Sequence, residues 1–171
     1  PIPLNHVARL RQRCAKINEF YKKDRKNYKY CRAIFLHVDS RSKSHQTDVF
    51  FYHSKSKPDS KRLAKTMKKT FESKYDKHQP TVGLPERNLY VLANTSPASV
   101  FVELGNIQNT FDQRRFVISS NRQALAKWMM EGFITDYKKA NKDNQLWLSF
   151  FFSCTTTTVT AGIIHALPDA R

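Results

Sequence analysis

From Leu4 to about Tyr21, apolar residues recur at Val7, Leu10, Cys14, Ile17, Phe20 and Tyr21. That three-to-four spacing predicts an amphipathic helix, with Asn5 placed to cap it and Arg9, Arg11, Arg13 and Lys16 mostly off the apolar stripe. The basic run Lys22–Lys29 follows as a loop or fraying end. Ala33–Val38 is a short, unbroken apolar run, the pattern of a strand covered on both faces. Thr47–His53, rich in aromatic and β-branched residues, predicts a second strand, and the short polar gap between the two suits a hairpin. Pro58, Asp59 and Ser60 open a helix whose stripe is Leu63, Ala64, Met67, Phe71 and Tyr75. Arg87–Asn106 reads as two strands joined by a turn at Pro97, the second carrying Val100-Phe101-Val102-Glu103. Ser119-Ser120-Asn121 is placed to cap a last helix bearing Leu125, Trp128, Met129, Phe133 and Tyr137.

The resulting order, α-β-β-α-β-β-α, predicts an α/β domain: a mixed central sheet with helices on both faces. Leu146–Pro168 breaks the pattern. It holds no Lys, Arg, Asp or Glu, yet its Thr and Ser content suits an edge strand or a partner-contacting tail better than a membrane helix. Residues 1–140 are read as one domain and 141–171 as an atypical apolar, Thr-rich tail of unknown role.

Charge sharpens this picture. Of 171 residues, the first 80 carry 21 Lys/Arg against 7 Asp/Glu, while the rest are near balance. Such asymmetry points to a polyanionic partner or to a solvated basic face. Only four glycines occur, and no phosphate-cradling glycine loop is present. The cysteines Cys14, Cys31 and Cys154 form no CxxC pair, which argues against a thiolate metal site; Cys14 and Cys31 are read as a disulfide or as buried thiols. The start, Pro1-Ile2-Pro3-Leu4, lacks an initiator methionine and a signal segment, so the chain is read as a mature domain or a fragment.

Two residues carry candidate chemistry. Glu103 ends an apolar strand, where a carboxylate is rarely placed unless paired, metal-bound or chemically used. His37 ends another, and ligands gather at the carboxyl ends of strands in open α/β sheets. A lone strand histidine is by default a satisfied core residue.

Leu36-His37-Val38-Asp39-Ser40 resembles the "SIHAD/N" segment of the zinc-dependent N-acetylmuramoyl-L-alanine amidases, and Arg87–Asn106 resembles their "R-x-L-x-V-L…P-A-V-L-V-E-L-G" signature. Leu4, Arg9, Ala15 and Asn18 are similar to the helix before that histidine; Asn109, Ser119, Gln123, Leu125, Ala126, Gly132 and Phe133 are similar to the closing helix. The resemblance runs in unbroken order over roughly residues 3–140. It implies an amidase-like fold, incomplete at the N-terminus, and a zinc hydrolase acting on the amide between the lactyl group of muramic acid and L-alanine in peptidoglycan. His37 then matches a zinc ligand. Glu103 matches the catalytic glutamate, a general base toward metal-bound water.

The family's other zinc histidine and its zinc glutamate belong to motifs preceding the segment that matches Leu4, and no such motif occurs here. His6, His45, His53, His78 and His165, and Glu19, Glu72 and Glu86, sit in none of the family's motifs. The resemblance implies peptidoglycan as substrate and a bacterial cell envelope, periplasmic or extracellular. The basic first half suggests anionic envelope polymers as further partners; no motif points to specific nucleic acid, and the Thr and Ser of the tail argue against a transmembrane segment. Two other readings stand beside it: a non-catalytic basic domain binding a polyanion, with Phe20, Tyr21, Tyr28 and Tyr30 interleaved among its cations, and a degenerate family member acting as a scaffold.

Overall fold

The computed structural model describes residues 2–44, 49–75 and 82–141, together with the backbone of 147–150 and 160–167. Six strands form one mixed sheet: β1 (Cys31–Asp39), β2 (Val49–Tyr52), β3 (Val82–Gly83), β4 (Ala98–Asn106), β5 (Trp147–Phe150) and β6 (Thr160–Leu167). Their spatial order is β3-β2-β4-β1-β6-β5. Helices α1 (His6–Asp24) and α3 (Tyr90–Asn94) cover one face; α2 (Pro58–Glu72) and α5 (Ser119–Ala140) cover the other, with α4 (Thr110–Val117) following β4.

The expected hairpin between the first two strands does not form. β4 lies between them, parallel to β1 and antiparallel to β2. The reason is burial. β4 is nine residues long with Val100 and Val102 fully buried toward one face and Ser99 toward the other, so it needs cover on both sides and takes a central place. β2, with four residues, sits nearer the edge. β6 pairs antiparallel with the other side of β1, so this part of residues 141–171 extends the sheet.

Two other expectations change. The first half of the Arg87–Asn106 run is a helical turn, α3, and not a strand. A short apolar run carries no periodicity of its own, and here tertiary partners decide: Val91 and Leu92 are buried against α1, while Asn18 Nδ2 and Lys57 Nζ donate to the carbonyls of Asn94 (3.0 Å) and Leu92 (3.2 Å). Ser119–Asn121 do not cap α5, whose first turn has no side-chain cap. The cap is earlier: Asn109 Oδ1 accepts from the backbone N–H groups of Phe111 (2.9 Å) and Asp112 (3.1 Å) and starts α4, which sequence reading missed. Asn121 Nδ2 instead donates to Arg114 O and ties α5 to α4.

The first helix begins as expected, with Asn5 Oδ1 accepting from Ala8 N. Its buried stripe is narrower than predicted: Cys14 and Ile17 are buried, while Val7 and Phe20 are exposed. In α2 the expected stripe is buried from Leu63 to Phe71, and Lys61, Lys65 and Lys69 face water. Gly132 lets α5 approach α2, since a Cβ there would lie 2.4 Å from Met67 Sδ. Cys14 and Cys31 are both free, buried thiols. Among the described residues no helix is long and apolar enough to cross a membrane.

One polar cluster crosses the packed layers. Asp136, wholly buried on α5, accepts from Tyr30 Oη (2.9 Å) and pairs with Arg32 Nε (3.2 Å) and Arg62 Nε (2.9 Å). It joins α5 to β1 and α2. Removing one partner of a buried pair leaves the others uncompensated, so Asp136→Ala is expected to cost about 3–5 kcal/mol. Urea unfolding should show this as a lower midpoint at unchanged slope.

Candidate functional site

The parallel pairing of β1 and β4 is in register from Arg32↔Ala98 to His37↔Glu103. Register partners on parallel strands point to the same face, so His37 and Glu103 share the α1/α3 side at the strands' carboxyl ends. Beyond His37 the register slips, so that Asp39 faces Asn106. Gly105 there has φ +147°, a conformation that favours glycine, and a Cβ would lie 3.0–3.2 Å from Arg115, Phe116 and Asp112. The strand can thus kink between Glu103 and its last pair, Asp39↔Asn106, before the chain leaves the sheet.

Buried Asn106 fastens the loop after β1 to this corner. Its Oδ1 accepts from Arg41 N (3.0 Å) and Gln108 N (3.1 Å), and its Nδ2 donates to Ser42 O (2.9 Å). Arg41, paired with Asp39, is thereby held within electrostatic reach of Glu103.

Glu103 is half-buried, and its Oε2 accepts a 2.8 Å hydrogen bond from Tyr52 Oη. Burial first, then that bond and the carboxylate's charge, push the Tyr52 phenol up to about 12, so it remains a donor at neutral pH. His37 stacks on Phe101, with centroids 4.0 Å apart and planes 28° from parallel. Burial, aided by the Arg13 charge, lowers the imidazole to about 4; at neutral pH it is uncharged and has a lone pair to offer.

His53 is buried with Nδ1 3.2 Å from Ser54 O, the behaviour of a satisfied core residue. His6 is exposed; His45, His78 and the side chain of His165 lie outside the described residues. Glu19, Glu72 and Glu86 pair with Lys16, Lys68 and Lys61. Tyr52 was missed by sequence reading, which placed it in the aromatic strand Thr47–His53 and gave it no role.

A family model described as N-acetylmuramoyl-L-alanine amidase matches residues 7–135, three quarters of the sequence. The chain belongs to this amidase family. No curated protein sequence matches it significantly. Solved structures agree on the fold. The amidase of Clostridium difficile 630 superposes with TM-score 0.58 at 18% identity, over 78% of this chain and 67% of its own. Ami1 of Mycobacterium smegmatis gives 0.60 at 19%, over 75% and 60%. The CwlD amidase of Clostridioides difficile, solved with the GerS lipoprotein, gives 0.63 at 16%, over 79% and 66%. The chain thus spans about 60–67% of the length of these relatives.

Members of the amidase family generally depend on zinc. A catalytic zinc takes three protein donors and keeps one position open. His37 and Glu103 supply at most two, and among the described residues no group of three or more His, Cys, Asp or Glu side chains is placed to hold a metal. The described residues alone therefore do not fit the ion.

The depressed His37 sets a pH dependence. Its folded-state value, about 4, lies below the ordinary 6.5, so acidification protonates the unfolded chain first. Its contribution weakens stability as pH falls through that window and is level above it. Unfolding free energies at about pH 7.5 and about pH 5 should therefore diverge more in the wild type than in His37→Gln.

Proposed function

We propose that the chain supplies the base-bearing part of an N-acetylmuramoyl-L-alanine amidase site, hydrolysing the amide between the muramic acid lactyl group and L-alanine in peptidoglycan. The observation that carries this is the in-register placement of His37 beside Glu103, with Glu103 anchored by Tyr52. Family membership supplies the reaction.

The division of labour follows from the two environments. Glu103, as a carboxylate, takes a proton from the attacking water as the new C–O bond forms at the amide carbonyl. It returns that proton to the departing alanine nitrogen as the C–N bond breaks. His37 stays neutral and would offer one zinc donor on this face, the described residues alone not completing a site. Zinc, when bound, lowers the pKa of water and polarises the carbonyl, and a full site needs donors beyond these two. The substrate places the working protein at a bacterial cell envelope, periplasmic or extracellular.

Glu103→Gln should lower hydrolysis of purified peptidoglycan by roughly 100- to 10,000-fold, scored as free L-alanine amino groups released. Unchanged turnover would refute the role. Zinc titration calorimetry separates the two residues: His37→Ala should remove whatever zinc uptake the chain shows, and Glu103→Gln should leave it. Loss in the glutamate variant would make Glu103 a ligand.

A second reading rests on a cleft of about 630 Å³ at the opposite end of the sheet. Arg25, Lys29 and Lys57 line it with Tyr21 and Tyr28, while Arg32 in its wall is committed to Asp136; among the described residues its one carboxylate, Asp59, is paired with Arg62. This fits an anionic envelope polymer. Binding to long-chain polyphosphate should weaken steeply with salt, and the slope should flatten by about two phosphate contacts in an Arg25→Ala, Lys29→Ala double variant.

A further inference from the structure

We infer that Tyr52 is a positioning residue for Glu103: its hydroxyl holds one carboxylate oxygen and so fixes where the other is presented. The inference rests on the reading of Glu103 as the base. The family-like segments above do not include Tyr52; the structure alone brings it to the carboxylate.

The register shows how. On the antiparallel β2–β4 pair, Tyr52 stands opposite Phe101 and Phe50 stands opposite Glu103. Tyr52 therefore reaches its partner diagonally, two pairs along the ladder and the next on the same face, a span open to a long aromatic side chain. Its Oη lies 2.8 Å from Glu103 Oε2, and Oε1 accepts no hydrogen bond among the described residues. One oxygen is tied back and the other is left for a water or a substrate proton.

The ring that carries the hydroxyl is itself held. Tyr52 is 3% exposed. Phe101 meets it edge-on at 5.9 Å, Phe50 stacks at 5.9 Å, and the Arg87 guanidinium sits 4.9 Å from its centroid. A phenol immobilised on three sides delivers its proton to one fixed point. That is what orientation of a catalytic carboxylate requires, since a displacement of about 1 Å can cost on the order of 100-fold in rate. The same ring links Arg87, in the family-like signature, to Glu103 through a strand that the signature does not include.

Tyr52→Phe removes the hydroxyl and keeps the ring contacts, so the fold should persist and its melting curve can confirm that. Two readouts on the full chain then separate this inference from the amidase reading. First, the side-chain carboxyl carbon of Glu103, assigned by its absence in Glu103→Gln, is observed by NMR at one neutral pH. A displaced resonance in Tyr52→Phe is expected; an unmoved one overturns the inference, whether or not the chain hydrolyses peptidoglycan. Second, where the wild type turns over, kcat in Tyr52→Phe should fall about 10- to 100-fold with KM unchanged. Full kcat in that variant also overturns it. A displaced resonance in a chain without turnover would uphold the positioning role and count against the amidase reading alone.

Discussion

The in-register parallel pairing of β1 with β4 is the constraint on which the rest of the structure depends. It puts His37 beside Glu103 without either side chain having to select the other, because the ladder from Arg32↔Ala98 onward leaves them no alternative. It also sorts the faces. Ile34, Val100 and Val102 go to the α2/α5 core, while Ala33, Phe35 and Phe101 go to the α1/α3 side. A slip of one residue would reverse every assignment and drive the carboxylate into the larger core. Burial on both faces makes that slip costly, so the packing that stabilises the domain also specifies the site.

The surroundings of the pair follow from this placement. His37 leans on Phe101 and loses water, which keeps it uncharged. Glu103 has a fixed donor in Tyr52 and a cation nearby in Arg41, which Asn106 holds, while Arg87 rests on the Tyr52 ring. Two groups at the ends of neighbouring strands thus meet different environments: one suited to donating a lone pair, the other to moving a proton. The Asp136 cluster belongs to a different task. It joins α5, β1 and α2 at a distance in sequence, with Arg32 committed to that carboxylate and Arg62 shared between it and Asp59.

Much of this was legible in the chain. The continuous apolar runs gave β1 and β4, the three-to-four spacing gave α1, α2 and α5, and the position of His37 and Glu103 at strand ends could be read directly. Other parts could not, three of them instructive. The hairpin expectation failed because sequence proximity of two strands says nothing about a third strand, buried on both faces, inserting between them. The turn at Tyr90–Asn94 failed because Val91 and Leu92 suit a strand as well as a helix, and only Asn18 and Lys57, both distant in sequence, settle the matter. Tyr52 was hidden because its role depends on a diagonal contact across an antiparallel pair, and a diagonal contact has no signature in one strand alone.

The most direct measurement is of the strand register itself, by interstrand nuclear Overhauser contacts in the isotope-labelled chain. Backbone contacts should link β1 to β4, joining the neighbourhoods of Phe35 and Phe101 and of His37 and Glu103. Contacts linking β1 directly to β2, as in a hairpin with β4 displaced, would contradict it and would leave His37 and Glu103 without a shared site.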